Sequence, residues 1–579
     1  MKKIDAIFFI LIIAFLLRTI FINEVPLALS NDELTFIINA KSVALTGKDI
    51  LGTWQPWSLQ PIYNTYPMSE LSFLIASPLL SLFKVTLFTA KLPYALFSTL
   101  LVGILYLITN KLFSKKEALI VGIVAAISPW GIFFGRTAYD FPLAVFFYML
   151  ALTILLYSKS WRILLSFIPL FLAFYSYIGT KIIFLPFVII AAFFSWHILN
   201  NKKYTKYYLT LIIACLFLFI FFLQSLNSGN AGKRLSEIYT PWSQSIAEKV
   251  NLDRKLSINS PINNLIINKY TVFAKDFLNK YLGAFSPQYQ FITGDSNMYV
   301  SLWNHGYFYY VDLIFLLLGF YYLFQKNKKV ALLIIGLILI APFPAAISTD
   351  QERFVHKWTL IYPLFIIVVG VGISYALSLP KKTFYRKFLA GFILLIYTAL
   401  LTNFLVIYFL RYPIYNSEGS NFSTRILSGY IALVNAQDKS VYVYSPEPEP
   451  LYKGYVLYAD TYSQKSAKIV TENFNSNIYA LDGVRFLKGC PDKNVISSDN
   501  TIIINNTMKC DEISSYQVMK KPVEISQLSD AGTIYSIYKD RVCSIYSLSK
   551  YPDNFKFFDF NIENLPINSF CTKYIFNKN

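Results

Sequence analysis

Eleven apolar runs, each near bilayer-crossing length, set the limits on what this chain can fold into. They cover 4–22, 86–109, 118–134, 141–157, 162–178, 183–199, 208–224, 308–324, 330–347, 358–378 and 389–410. A membrane-spanning helix needs about 17–25 mostly apolar residues. The sequence therefore predicts a polytopic α-helical membrane protein of about 11 transmembrane helices. Composition agrees: 55% of the 579 residues are hydrophobic, 18% aromatic and only 15% charged. A soluble chain carries about 25% charged residues. A soluble enzyme, a disordered chain and a small disulfide scaffold are excluded. The stretch 70–83, with Pro78 inside, is apolar but too short to cross, and reads as interfacial or re-entrant.

The net charge of +19 is not the mark of a nucleic-acid partner. The cations sit in short loops between apolar runs. Lys2 and Lys3 precede the first run. Alternate loops then carry Lys111, Lys115 and Lys116; Lys159 and Arg162; Lys202, Lys203 and Lys206; Lys326, Lys328 and Lys329; and Lys381, Lys382, Arg386 and Lys387. Short basic loops face the cytoplasm. The expected topology is a multi-pass cell-membrane protein with a cytoplasmic N-terminus. The first run is too long for a cleaved signal core and no small-residue cleavage site follows it. The long segments 23–85, 225–307 and 411–579 are expected outside. The cytoplasmic loops are too short for a catalytic domain, so any chemistry faces outward.

Two domains are expected: a transmembrane catalytic domain over 1–410 and an extracytoplasmic domain over 411–579. The tail carries short β-type runs at 441–444, 455–458, 501–505 and 533–538, with a turn-rich stretch from Pro446 to Pro450. An α/β or β-rich domain is expected. Its cysteines, Cys490, Cys510, Cys543 and Cys571, form an even set in an oxidising compartment. Several connectivities are open. Neighbour pairing, Cys490–Cys510 and Cys543–Cys571, is the expectation, with free buried thiols as the alternative. Three scattered His residues and no Cys-x-x-Cys give no support for a zinc site; no cofactor is expected, and a divalent-metal requirement is not readable from the sequence.

The first outer loop opens Leu29-Ser30-Asn31-Asp32-Glu33-Leu34-Thr35. Ser30 or Asn31 in an N-cap, with acids in the first turn, is the plain structural account. The functional one makes a carboxylate a general base. Neighbours on a helix diverge by about 100°, so only one of the two acids aims at a given atom. The other orients it, binds a cation or meets a basic partner. Thr46-Gly47 reads as the helix end. The rings at Trp54, Trp57, Tyr63 and Tyr66 suit a membrane interface and equally a sugar or headgroup.

Each short outer loop also holds a cation that topology does not require. The second runs from Ser128 to Asp140 and contains Arg136 and Tyr139. The third, Tyr175-Ser176-Tyr177-Ile178-Gly179-Thr180-Lys181, brings Tyr177 and Lys181. The fifth, Ser348 to Lys357, brings Arg353. Arg136 and Asp140 make either a local ion pair or, through the guanidinium fork, a clamp for phosphate or carboxylate. Together these groups describe a site for an anionic headgroup beside a carboxylate. Any one of the cations alone also fits a snorkelling side chain. Nucleotide donors are absent outside the membrane, and the chain has no Walker or dinucleotide motif. A polyprenyl-phosphate sugar fits: an apolar tail, an interfacial phosphate and a sugar outside.

At these residues the chain resembles the GT-C superfamily of membrane glycosyltransferases. The likeness is to glycosyltransferase family 39, the dolichyl-phosphate-mannose protein mannosyltransferase-like and aminoarabinose-transferase-like group, in its bacterial or archaeal branch. The resemblance rests on Asp32-Glu33 and the stretch Asn39 to Asp49 after it. It extends to Ile127-Ser128-Pro129-Trp130, Arg136 to Asp140, Phe174 to Lys181, and Phe285-Ser286-Pro287 with Gly294-Asp295. It covers about residues 1–410 and is weaker over the tail. It implies inverting transfer from a polyprenyl-phosphate sugar to a protein, lipid or glycan acceptor. It implies a base role for Asp32 with Glu33 as partner, and phosphate contacts from Arg136, Lys181 and Arg353. Asp140 stands where relatives often have Glu. His305, in Met298 to Gly306, stands in a loop without the Arg that relatives often carry there. Tyr139, Tyr177, His305, Asp140 and Asp295 complete the candidate site.

Three other readings remain. A flippase or transporter of lipid-linked saccharides shares the spans and aromatic rim, but no inverted repeat or run of mid-span charges supports it. A lipid-to-protein oligosaccharyltransferase or an O-antigen ligase-like enzyme is a second. The tail lacks the Trp-Trp-Asp signature of the former. A receptor presenting the tail would have an excessive anchor.

Overall fold

The computed structural model describes residues 6–53, 68–69, 71–200, 202–226, 240–348, 355–435, 440–498, 500–506, 508–510, 521–552 and 555–577. Each expected apolar run contains a helix. Among the described residues, five helices are long and apolar enough to cross a membrane: Leu87–Leu112, Lys202–Gln224, Lys328–Ala346, Ile361–Ser378 and Thr383–Tyr415. Others in the expected runs are shorter, including α1 (Ala6–Thr19). One cause is local. The run 118–134 splits into Lys115–Ile127 and Pro129–Phe134, because the residue before a proline is pushed out of the helical region. A helix of 13 residues rises only about 20 Å, short of the ~30 Å hydrocarbon core.

The helices share one buried aromatic and aliphatic cluster. Ionisable groups inside it are fastened by hydrogen bonds. Arg18, at the end of α1, donates from Nε to Ser98 Oγ at 2.9 Å and from Nη1 to the Ala126 carbonyl at 3.1 Å. Its Nη2 reaches the Ala125 carbonyl at 3.2 Å. It thus closes the carbonyl end of helix Lys115–Ile127, where a cation is favourable. Asp312 accepts from the Tyr309 amide at 2.8 Å and from the Tyr397 hydroxyl.

After α1 the chain runs through a non-helical segment to α2 (Asn31–Thr46). Gly47 ends α2 in the left-handed conformation (φ 74°), as the sequence predicts, and its amide closes on the Val43 carbonyl. The stretch 70–83 contains the short helix α3 (Ser77–Leu82), which leads to α4 (Leu87–Leu112).

The tail is α/β. Its sheet has the order β2-β3-β1-β4-β6-β5. The strands are β1 (Ser440–Tyr444), β2 (Tyr479–Leu481), β3 (Val484–Leu487), β4 (Thr501–Asn505), β5 (Val523–Ser526) and β6 (Thr533–Tyr538). β1 pairs parallel with β3 and β4, and the remaining pairs are antiparallel. The β-type run expected at 455–458 is instead the end of helix Pro448–Tyr458. Proline fits a helix's first turn, and Leu451, Tyr452, Tyr455 and Val456 then fall on one buried face. The stretch Pro446 to Pro450 is therefore a helix start rather than only a turn.

The hydrophobic face of α2 lies outside the main core of the helical bundle and shares a second core with the start of α4 and with the tail. Leu34, Phe36, Ile37 and Ile38 lie in one core with Phe73, Leu80, Leu427, Tyr452, Val443 and Ile504. The first outer segment and the tail therefore bury their apolar surfaces together. Disulfides join Cys490 to Cys510 and Cys543 to Cys571. Cys215 is a buried free thiol.

The second disulfide closes a separation of 28 residues. Replacing Cys543 and Cys571 by Ser is expected to cost the tail about 3.6 kcal/mol through loop-closure entropy. Thermal midpoints and tail proteolysis of the detergent-solubilised protein check it. An unchanged midpoint would show that the tail does not depend on this cross-link.

Candidate active site

The site is built from the segment that enters α2. Ser30 is the N-cap, and Glu33 folds back onto it. The Ser30 amide donates to Glu33 Oε2 at 2.9 Å, and the Glu33 amide points to Ser30 Oγ at 3.5 Å. This reciprocal capping arrangement satisfies amides the helix itself leaves bare. Glu33 Oε1 accepts a further bond from the Ala138 amide at 2.6 Å. Glu33 is only 2% exposed. It fastens α2 to the loop that carries Arg136, Tyr139 and Asp140. Asp32, one residue earlier, turns the other way and is exposed. The angular divergence of adjacent helical residues has separated the two acids into an anchor and an outward carboxylate.

Asp32 lies close enough to Tyr139, Asp140, Tyr299 and Lys453 to bear on their ionisation. Asp140 is half-buried and accepts a bond from Ser69 Oγ. Burial pushes its carboxyl up to about 7, and the Asp32 charge adds to that rise. Tyr139 is buried, stacks on Phe141 at 5.5 Å and donates from its hydroxyl to the Tyr299 carbonyl at 3.1 Å. Burial raises its phenol well above the ordinary range. The wall continues from Phe141 to His356, whose ring centroid lies 5.9 Å away, and on to Tyr177 at 6.3 Å from His356. Beyond it, Lys280 Nζ donates to the Ser348 carbonyl at 2.6 Å, and Lys357 Nζ meets Ser348 Oγ.

The loop from Asp295 to Tyr307 is tied down beside Tyr139. Asp295 Oδ1 accepts from the Asn297 amide at 3.0 Å, and Oδ2 from the Val355 amide at 2.8 Å. The Tyr307 hydroxyl donates to the Val300 carbonyl at 2.7 Å. His305 is buried against Phe404, with Nδ1 2.6 Å from the Gly306 carbonyl, and burial lowers its ionisation. Asp295 and His305 therefore shape the loop from inside it.

The cations expected at a lipid phosphate are placed differently. Arg136 is fully buried. Its Nη1 donates to the Leu17 carbonyl at 3.2 Å, and its Nη2 to the Phe21 and Val25 carbonyls at 3.0 and 2.8 Å. The rings of Tyr408 and Phe409 cover its faces. It straps the segment after α1, and the expected clamp with an outward fork is not what the structure has. Nor does Arg136 pair locally with Asp140, which turns to Ser69. Lys181 is 2% exposed, with Phe222, Tyr175 and Phe174 around its ammonium at 4.4–5.2 Å. Arg353, and the rings Trp54, Trp57, Tyr63 and Tyr66, lie outside the described residues.

Sequence reasoning missed Ser69, Tyr299 and Lys453. Lys453 comes from the tail. It is buried, pairs with Glu449 Oε1 at 2.7 Å and donates to Thr35 Oγ1 at 3.2 Å on α2. Burial lowers its ionisation, and Glu449 and Asp32 oppose that. Its i,i+4 spacing from Glu449 was readable as a helical pair once the segment was seen as a helix. Among the described residues no group of three or more His, Cys, Asp or Glu side chains converges to hold a metal ion.

Three solved structures resemble the chain in outline. The oligosaccharyltransferase of Archaeoglobus fulgidus in the apo form gives a TM-score of 0.44 at 14% identity, over 78% of this chain and 63% of that one. The present chain thus spans less than two thirds of that protein's length. ArnT from Cupriavidus metallidurans in the apo state gives 0.47 at 10% identity, over 92% and 97%. ArnT bound to undecaprenyl phosphate gives 0.44 at 9% identity, over the same shares. No family model and no curated protein matches the chain. At these scores the likenesses carry no weight in assigning a function.

A raised Asp140 has a definite consequence for pH. The folded protein holds a proton there, between the ordinary carboxylate range and about 7, that the unfolded chain has released. Stability therefore falls as pH rises through that window. Asp140→Asn is expected to flatten this part of the stability profile, measured as thermal midpoint against pH. An identical slope in the variant would remove Asp140 as its source.

Proposed function

We propose that the chain is an inverting glycosyltransferase of the GT-C kind, of the family 39 type. It moves a sugar from a polyprenyl-phosphate donor to an acceptor on the outer face of the cell membrane. The observation that carries this reading is the division of the acid pair. Glu33 is consumed in anchoring α2, while Asp32 faces outward beside Asp140, a carboxyl titrating near neutrality. An outward carboxylate beside a carboxyl that burial holds near neutrality is suited to moving a proton at physiological pH. The five long apolar helices supply a setting in which a lipid-borne donor reaches the site from the bilayer.

In the proposed step, the Asp32 carboxylate takes the acceptor hydroxyl proton. The acceptor oxygen forms a bond to the anomeric carbon as the bond from that carbon to the phosphate oxygen breaks. The electron pair leaves on the phosphate, and the configuration inverts. Asp140 orients the acceptor hydroxyl. Tyr139 and the loop fastened by Asp295 wall the sugar side. The leaving phosphate lies toward Tyr177 and His356, where Lys280 and Lys357 converge on Ser348. By their sequence positions in the third and fifth outer loops, Lys181 and Arg353 are proposed to add to this cationic side. Cations there stabilise charge growing on the leaving group, an electrostatic contribution typical of group transfer.

Two neighbouring variants separate chemistry from folding. Asp32→Asn is expected to lower transfer by about 10²–10⁴-fold at unchanged expression and thermal midpoint. Glu33→Gln leaves an amide group facing two backbone donors, and is expected to cost about 1–3 kcal/mol of stability. The assay follows radiolabelled polyprenyl-phosphate sugar in membranes. Full transfer by Asp32→Asn would refute its role. Label that crosses the bilayer while still attached to the lipid, with either protein, would establish the flippase reading instead.

A further inference from the structure

A second polar site lies farther along α2. A cleft of about 360 Å³ is bounded by Lys41 and Leu45 of α2, the stretch Ser81 to Lys84 after α3, and Asp460 to Gln464 of the tail. Lys41 is nine residues past Asp32, or about 14 Å along the helix, so this cleft is distinct from the candidate active site.

Two buried polar groups in the cleft have unused hydrogen-bonding capacity. Lys41 is 9% exposed, and its ammonium donates to the Leu80 carbonyl at 2.9 Å. An ammonium has three donors. Tyr462 is 3% exposed, and its hydroxyl, beside Ser42 Oγ, makes no hydrogen bond of ordinary geometry among the described residues. Leaving such groups bare inside a protein costs about 1–3 kcal/mol each. Lys84 stands at the mouth, largely exposed, 3.4 Å from Asp460 Oδ2.

The rim is apolar. Leu82 and Phe83 are 77% and 56% exposed, immediately before Lys84. Three residues later the 26-residue apolar helix α4 begins. Exposed apolar side chains next to a lysine, at the head of a membrane helix, are the pattern of an interfacial anchor. The cleft therefore has Lys41 and a phenol within it, the Lys84–Asp460 ion pair at its mouth and apolar residues at its edge, a net positive opening suited to the level of lipid headgroups.

We propose that this cleft binds the phosphate headgroup of an anionic phospholipid of the outer leaflet. Lys41 and Tyr462 donate to the phosphate oxygens from within, Lys84 closes over them, and Leu82 and Phe83 lie against the acyl chains. Lys41 and Leu80 belong to the first outer segment and Asp460 to the tail, so the bound headgroup bridges the two and seats the tail on the membrane. This reading does not depend on the transferase assignment.

The test uses the full chain in neutral detergent, followed by thermal unfolding and native mass spectrometry. The probes are mixed micelles of phosphatidylglycerol or phosphatidylcholine, and inorganic phosphate alone. Phosphatidylglycerol is expected to raise the midpoint and to be retained at one copy, with no effect from phosphatidylcholine. Lys84→Gln and Tyr462→Phe are each expected to weaken the apparent affinity for phosphatidylglycerol by about tenfold, the scale of one lost charge-assisted bond. Lys41→Met should abolish the shift. Should that variant fail to fold, the two milder ones carry the test. Lys468→Gln, at an exposed site outside the cleft, should respond as wild type. Equal shifts in all the cleft variants would overturn the site. Stabilisation by inorganic phosphate equal to that by the lipid would overturn the lipid as its occupant.

Discussion

The arrangement depends on how the segment between α1 and α2 satisfies its backbone. This stretch is non-helical, largely buried and placed at one end of an apolar bundle. Its carbonyls have no ladder to join and no ready access to water. Three buried cations from separate parts of the chain supply donors. Arg136 takes the Leu17, Phe21 and Val25 carbonyls, and Lys91, on α4, takes those of Pro26 and Ala28. Arg425, from the tail, takes that of Leu27 at 2.5 Å. The Tyr458 hydroxyl accepts from the Leu29 amide at 2.8 Å. An unpaired backbone group in such a place costs as much as a lost hydrogen bond, and the cations are themselves too costly to bury unpaired. Each solves the other's difficulty. The result is a rigid lead into Ser30, and hence a fixed direction for Asp32.

That constraint also explains why the tail is not a separable appendage. Two of the four anchors, Arg425 and Tyr458, come from beyond residue 411, and Lys453 reaches Thr35 on α2 from the same region. The apolar face of α2 then completes the tail's core. A carboxylate that must hold its direction at a membrane surface is thus braced from both sides, by the bundle through Glu33 and Ala138 and by the tail through Lys453. For the proton transfer proposed at Asp32, preorganisation of this kind matters because geometry lost at the reacting atom is lost rate.

Much of the fold was legible because the signals were long or periodic. The apolar runs could be read from length alone, and β4 and β6 coincide with expected strands at 501–505 and 533–538. The end of α2 at Gly47 and its cap at Ser30 follow from local chemistry. The helix Pro448–Tyr458 was hidden, since Val456-Leu457-Tyr458 has strand propensity and the prolines before it read as a turn. Strand propensity reflects packing on a pleated surface, and the tertiary surroundings decide it. Strands β2 and β3 are too short to announce themselves. Within the candidate site, the distinction between Asp32 and Glu33 was half legible: the sequence showed that they must diverge, not which would face inward.

The cations were the least legible element, and the reason is physical. A lysine or arginine at a membrane boundary has several uses: snorkelling to headgroups, binding an anionic ligand, pairing with an acid or saturating backbone carbonyls. The first three depend on what lies outside the side chain, and sequence position hints at them. The last depends on where the chain leaves helical structure while still buried, which only the packed structure reveals. Arg136 and Arg18 both fall in this last class, and both donate several bonds to carbonyls near helix ends. The fork that makes a guanidinium a good phosphate ligand makes it an equally good strap for a divergent set of carbonyls. Telling the two apart needs the acceptor count around the buried backbone. Where the donors are aimed at buried backbone carbonyls, as at the Arg136 Nη atoms, the residue holds the site's frame. Where an ammonium meets a single carbonyl beside an open cleft, as at Lys41, the proposed headgroup takes the remaining donors.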